Sequence, residues 1–349
     1  MNAHHVSVGV LYAAAFVIAG LVSGLATPLV VRLAIHLGIV DKDGDERRMH
    51  DQPKPRVGGI AVFFGFAFAL FAVLGFSSTS PFALLPANDQ FDAIHKLVGL
   101  LFGSLLILGV GIWDDVMHMR ARNKLIAQIV VALISMLYGF VIPGVNNPFD
   151  HNPGTNWIDF PVWVEVPLTL LWYVGMMNAI NFLDGLDGLL SGVAAISSIF
   201  MFVIAALHGN PVVALVVIAL TGSALGFLPY NFNPARIILG DAGSLFIGYV
   251  FATVSIIGAS KTAIAISVVV PLLVLALPIL DTAAAIVRRA SSGKRITEAD
   301  RGHFHHQLIF RFGLNVRQAV LLLYAVCFVL GAVALAFSGE FTHVFRHAT

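Results

Sequence analysis

The sequence predicts an all-α fold: a polytopic transmembrane helical bundle of about ten helices, one integral-membrane domain spanning residues 1–349. Three observations carry this. Apolar residues make up 58% of the chain and charged residues only 11%, whereas soluble domains carry about 25% charged residues. Mean hydropathy is +0.89. The apolar residues fall in runs of about 20, the length a helix needs to cross hydrocarbon.

In chain order the expected spans are 8–31, 57–76, 94–113, 124–142, 162–181, 188–207, 211–228, 244–259, 262–287 and 318–337. The sixth and seventh are separated by His208-Gly209-Asn210-Pro211, a turn signal. The eighth is short. The ninth contains Pro271 and Pro278 and is expected to kink, because each proline removes a backbone donor. Trp157 and Trp163 are expected as interface anchors before and at the fifth span. No Lys or Arg precedes the first run, so it does not read as a cleavable signal. The single cysteine, Cys327, lies in an apolar run and reads as a packing residue.

Ten alternating spans put both termini on one side. The loops on the other side then hold 17 of the 20 Lys and Arg residues, leaving Lys96, Lys261 and Arg346 with the termini. Basic loops stay in the cytoplasm. Both termini are therefore expected outside, and every chemistry-bearing motif is expected on the cytoplasmic face. A net charge of +1 argues against nucleic acid as a partner.

The motifs lie where apolar runs end. Asp114-Asp115 closes the third span; it fits a polar pair in the headgroup zone and equally a magnesium ligand beside a base. Asn178, Asn181, Asp184 and Asp187 recur every third residue, which predicts one polar ridge on a helix facing a cytoplasmic cavity. Asp241, in GDAGS, reads as the N-cap of the eighth span and as a metal ligand. His303, His305 and His306, with Arg301, fit a solvated histidine-containing loop when taken alone, and as a site fit phosphate donors better than zinc ligands, because the surrounding acids suit a hard, oxygen-binding ion. Lys124 and the basic loop Arg47–Gly59, with His50 and Arg56, fit capture of a phosphate headgroup or contact with an anionic lipid surface. Carboxylates for a divalent metal and cations for phosphates, opening to cytoplasm from a body in lipid, suit joining a soluble phosphate compound to a phosphate-headed lipid. A secondary transporter is the competing class. It calls for acids near the midplane and an inverted repeat, and neither is visible.

RMHDQPKPRVGG, GIWDDVMHMRARNK, NAINFLDGLDGLLSG, NFNPARIILGDAGSLFIG and ADRGHFHHQL, in that order over about residues 32–310, resemble the polyprenyl-phosphate N-acetylhexosamine-1-phosphate transferase superfamily, glycosyltransferase family 4. PKPRVGG and DRGHFHHQL are similar to the WecA/TagO-like branch rather than the MraY-like one, which acts on a UDP-muramoyl-pentapeptide. The resemblance implies an enzyme of the bacterial inner membrane. It would transfer a hexosamine-1-phosphate, with GlcNAc-1-phosphate favoured, from a UDP-N-acetylhexosamine to undecaprenyl phosphate, releasing UMP. It also implies Mg²⁺, with Mn²⁺ as a substitute, and leaves a homodimer open. By the same resemblance Asp114 is the candidate base or a metal neighbour, and Asp115 helps to position metal and phosphates. Asp241 is the direct metal ligand, and Asn181, Asp184 and Asp187 line the nucleotide-sugar site. Lys124, Arg301 and the three histidines contact pyrophosphate. The lipid is expected to enter sideways along the kinked ninth span.

Overall fold

In hydrocarbon each backbone N–H needs a partner within its own segment, so apolar runs become helices. The computed structural model of the chain describes residues 3–40, 54–75, 87–146, 157–258, 308–309 and 311–338. Its helices are α1 (Ala3–His36), α2 (Gly59–Gly75), α3 (Ala87–Met117), α4 (Ala121–Leu137), α5 (Val162–Leu183), α6 (Leu189–Leu207), α7 (Pro211–Asn231), α8 (Gly240–Gly258) and α9 (Val316–Phe337). Seven of them, all but α2 and α4, are long and apolar enough to cross a membrane. The protein is thus a mainly helical, multi-pass membrane protein. Each described helix overlaps an expected span; the kinked ninth span, 262–287, lies outside the described residues.

One departure from the all-α expectation is a short antiparallel hairpin, β1 (Gly144–Asn146) with β2 (Trp157–Asp159), pairing Val145 with Ile158. It lies in the polar connection before α5. Trp157 Nε1 donates to Asp159 Oδ1 at 2.6 Å within it.

Burial sorts the helices into layers. Every residue from 242 to 256 of α8 and from 212 to 224 of α7 is buried. Helix α1 is instead two-faced. Val17, Leu21, Leu25, Leu29 and Leu33, spaced by four, are each more than half exposed, while Ala15, Ala19, Ser23, Thr27 and Ala34 on the opposite face are buried. Large apolar groups outside and small ones inside are the pattern of a helix facing lipid. The small face lets α1 lie close to α7: a Cβ on Gly20 would fall 3.2 Å from the Gly222 carbonyl oxygen.

Helix α8 packs against α3, α5 and α2, and α4 reaches it through side chains. Buried hydroxyls line this seam halfway along. Ser135 Oγ lies 2.8 Å from the Tyr249 hydroxyl, and the Tyr173 hydroxyl lies 3.0 Å from Thr253 Oγ1. The Tyr173 and Tyr249 rings stack at 5.5 Å. The chain direction brings the C-terminal ends of α3, α5 and α7 together with the N-terminal ends of α2, α4, α6 and α8. Helix α9 also begins there, because Arg317 Nε donates to the Asn233 carbonyl at 3.0 Å. Helix α1 starts, and α9 finishes, at the opposite end.

Candidate active site

The polar residues gather at that shared end. Asp114, in the last turn of α3, and Asp241, in the first turn of α8, converge on one cation. Lys124 Nζ, in the first turn of α4, lies 2.9 Å from Asp114 Oδ2 and 3.1 Å from Asp241 Oδ1. Lys124 also reaches Asn181 Oδ1 at 3.4 Å. Asn181 Nδ2 donates to Asp241 Oδ1 and, at 2.7 Å, to Ser244 Oγ. Four helices therefore each supply a member of one cluster. The Met119 backbone N–H donates to Asp114 Oδ1 at 2.7 Å, fixing the carboxylate against the α3–α4 turn.

Asp115 points elsewhere. Expected beside the metal, it turns both carboxylate oxygens to the start of α8, accepting from the Asp241 N–H and the Ala242 N–H at 2.9 Å each. It is thus the cap of α8, supplied from α3, and Asp241 does not cap its own helix as expected. An unpaired helix N-terminus carries orphan N–H groups and partial positive charge, which a buried carboxylate satisfies. Gly240 makes the approach possible: its φ is +76° and a side chain there would strike the Arg56 carbonyl and Asp115. Arg56 Nε lies 3.9 Å from Asp115 Oδ1.

Asn178, Asn181, Asp184 and Asp187 do not form one ridge. Helix α5 stops at Leu183, Asp184 is its C-cap and Asp187 lies in the turn before α6. The period of three continues through a helix end, so the side chains part. Asn178 Nδ2 donates to Gln128 Oε1 of α4 at 2.8 Å and to the Val174 carbonyl. Asn181 joins the cluster. Asp184 is half-buried beside it, and its carboxyl is pushed up to about 7, first by loss of water and then by the Asp241 charge, against the opposing pull of Arg56. Asp187 is buried; its Oδ2 accepts from Lys54 Nζ at 3.2 Å, Asn233 Nδ2 at 3.2 Å and the Ala235 N–H at 2.9 Å.

Asp187 and Lys54 thereby hold two connections against each other. The strap before α2 pairs with the connection before α8: the Ile238 N–H donates to the Pro55 carbonyl at 2.8 Å, and the Gly58 N–H donates to the Ile238 carbonyl at 3.0 Å. Asn231 Nδ2 donates to the Ile237 carbonyl, and Ser191 Oγ donates to Asn231 Oδ1 at 2.7 Å. The Tyr324 hydroxyl of α9 donates to the Gly188 carbonyl. Lys54, Ser244, Asn231 and Tyr324 were not singled out from the sequence. Lys54 was legible only as one cation among several in its loop, while Ser244 sits one turn after Asp241. His50, Arg301, His303, His305 and His306 lie outside the described residues.

The donor set is hard oxygen. Among the described residues no group of three His, Cys, Asp or Glu side chains is arranged to hold a metal ion. Asp114 and Asp241 nevertheless fit magnesium, which takes one or two carboxylates and completes its shell with phosphate and water.

Fold and site together define a multi-pass membrane protein with an acid–lysine cluster at one end of its bundle, suited to phosphate chemistry. The sequence pattern of glycosyl transferase family 4 matches residues 97–259, from α3 to the end of α8. The chain is 34% identical over 326 residues to the probable undecaprenyl-phosphate N-acetylglucosaminyl 1-phosphate transferase of Bacillus subtilis, covering 92% of this chain and 83% of that one. It is also 34% identical to the decaprenyl-phosphate N-acetylglucosaminephosphotransferase of Mycobacterium tuberculosis, covering 88% and 77%. A phospho-N-acetylmuramoyl-pentapeptide-transferase of Staphylococcus aureus is 28% identical, covering 85% and 88%. The chain belongs to glycosyl transferase family 4, the polyprenyl-phosphate hexosamine-1-phosphate transferases. It is a membrane-embedded transferase.

Proposed function

We propose that this protein transfers N-acetylhexosamine-1-phosphate, GlcNAc-1-phosphate in particular, from a UDP-sugar to undecaprenyl phosphate. The reaction serves as a first membrane step of a cell-envelope glycan, at the cytoplasmic face of a bacterial inner membrane. The observation that carries the reading is the convergence of Asp114, Lys124, Asp241 and Asn181 at one end of the bundle. The 17-to-3 distribution of Lys and Arg supports placing that end in the cytoplasm. The higher identity to the two N-acetylglucosamine relatives than to the pentapeptide transferase supports the sugar and the WecA/TagO-like branch.

Asp114 and Asp241 would hold magnesium, which when bound neutralises phosphate charge and aligns the reacting groups. Lys124, already at both carboxylates, presents a cation to the phosphates of either substrate. Asp115 keeps the start of α8, and so Asp241, in register with α3. Asn181 fixes the Asp241 carboxylate by donating to it. With acceptor and donor held together, an acceptor phosphate oxygen attacks the β-phosphorus of the UDP-sugar. A new phosphorus–oxygen bond forms as the bond from the β-phosphorus to the α,β-bridging oxygen breaks. UMP leaves with that oxygen and its electron pair, and the product is undecaprenyl diphosphosugar. An acceptor that arrives deprotonated needs no base; otherwise Asp114 is placed to take its proton.

Purified protein with undecaprenyl phosphate, Mg²⁺ and a panel of UDP-sugars tests this through UMP release. UDP-GlcNAc is expected to be turned over and UDP-MurNAc-pentapeptide not to be. Turnover of the pentapeptide substrate alone would move the protein to the muramoyl branch. Label left on the protein after incubation with UDP-sugar and no lipid would replace direct transfer by a two-step route.

A further inference from the structure

The corner where α3 turns into α4 is not used by the chemistry above, yet it forms an open cleft of about 520 Å³. Its lining includes the apolar Trp113, Met117 and Ile126 and the polar His118, Arg120 and Asn123. Trp113 is 60% exposed and Met117 70% exposed. Large apolar groups open at a membrane helix end meet lipid, and tryptophan and arginine beside them mark the headgroup level. Arg120 and Arg122 both have exposed side chains, and Arg120, at the N-cap of α4, leaves that helix without a side-chain cap. The corner thus places a cation, Arg120, among apolar lining residues, complementary to a negative headgroup carrying a hydrocarbon chain.

We propose that this corner binds one anionic phospholipid, its phosphate at Arg120, Asn123 and His118 and its acyl chain against Trp113, Met117 and Ile126. The bound lipid bears on the 118–120 turn. That turn donates the Met119 N–H to Asp114, so an occupied corner steadies the acid at the edge of the active cluster. Backbone strain marks the same place, with His118 at φ +52°. The inference needs only the membrane setting and does not depend on which sugar is transferred.

Native mass spectrometry of the delipidated full-length protein, titrated with phosphatidylglycerol or phosphatidylcholine, tests it. Wild type is expected to retain one phosphatidylglycerol in preference to phosphatidylcholine. Arg120→Gln should bind it about fivefold more weakly. Trp113→Ala should bind it more weakly too, and Arg120→Lys should retain it. Equal retention of phosphatidylglycerol by wild type, Arg120→Gln and Trp113→Ala would overturn the assignment. So would displacement of phosphatidylglycerol from wild type by undecaprenyl phosphate at equal concentration, which would give the corner to the acceptor. In nanodiscs, wild-type turnover should rise as phosphatidylglycerol replaces phosphatidylcholine. Arg120→Gln should keep the turnover seen in phosphatidylcholine alone and lose the rise. An equal rise in both proteins would also overturn the proposal.

Discussion

Helices α4, α5 and α8 carry two polar regions, one at the end of the bundle and one halfway along it, and the two are built on different terms. At the end, two carboxylates share one ammonium: Asp114 and Asp241 both lie on Lys124. Halfway along, Ser135, Tyr249, Tyr173 and Thr253 meet as neutral hydroxyls, each with a partner. The hydroxyl seam is closed, because Ser135 Oγ also donates to the Val131 carbonyl and Thr253 Oγ1 to the Tyr249 carbonyl. A satisfied neutral network holds helices in register and has little left to offer a ligand. The charged cluster sets two carboxyl groups against one ammonium, with Asn181 beside them, so it has acid oxygens to offer a further cation. Polarity inside a membrane protein therefore separates into structural and chemical kinds by charge and by whether the network closes.

The largest effect expected from breaking that contrast is on turnover. Asp241→Asn and Asp114→Asn should each lower kcat by on the order of a thousandfold, with the helical circular dichroism spectrum retained. Retained activity in either variant would show the cluster to be structural like the seam.

Next is Lys124→Met. Removing the shared cation leaves the buried Asp114 and the half-buried Asp241 facing one another and should cost about 3 kcal/mol of stability. Unfolding can be followed with a thiol-reactive dye, since the single cysteine, Cys327, is buried. Adding Mg²⁺ should recover part of the lost thermal stability if the acids can share a divalent ion. No recovery would count against Asp114 and Asp241 as its ligands.

The pH dependence of stability sharpens the same point. Asp184 titrates at about 7 in the folded protein, above the ordinary carboxylate value of 3.8. The folded state therefore binds the extra proton, and this group's contribution to stability is lost as pH rises from about 4 through about 7. In metal-free buffer the wild-type Tm should fall between pH 5 and pH 8, and Asp184→Asn should flatten that fall. Parallel curves would remove Asp184 as the cause.

The smallest effect belongs to the seam. Tyr249→Phe deletes one hydroxyl and leaves Ser135 its bond to the Val131 carbonyl, so stability should drop by about 1 kcal/mol. Turnover should be retained, and Mg²⁺ should not compensate. A loss of turnover comparable to that of Asp241→Asn would tie the seam to the chemistry.

Much of this was legible in the chain because hydrocarbon imposes simple rules. Apolar runs marked each described helix, and acids at the ends of those runs marked the residues Asp114 and Asp241 that meet at Lys124, since a carboxylate near lipid is costly without a partner. What misled was local periodicity. Asn178 to Asp187 kept a helical spacing through the end of α5, and only the stop at Leu183 parted them. Asn178 went to Gln128, Asn181 to the cluster and Asp187 to Lys54. The roles of the adjacent pair Asp114 and Asp115 were likewise beyond the sequence. Neighbouring residues on a helix point about 100° apart, so one acid met Lys124 and the other met the start of a helix more than a hundred residues away. By itself the sequence determined the membrane class and the described helices, because these depend on composition and length. The tertiary structure alone decided which acid meets a cation and which caps a helix, because that depends on the direction of each side chain once α3, α4, α5 and α8 have packed together.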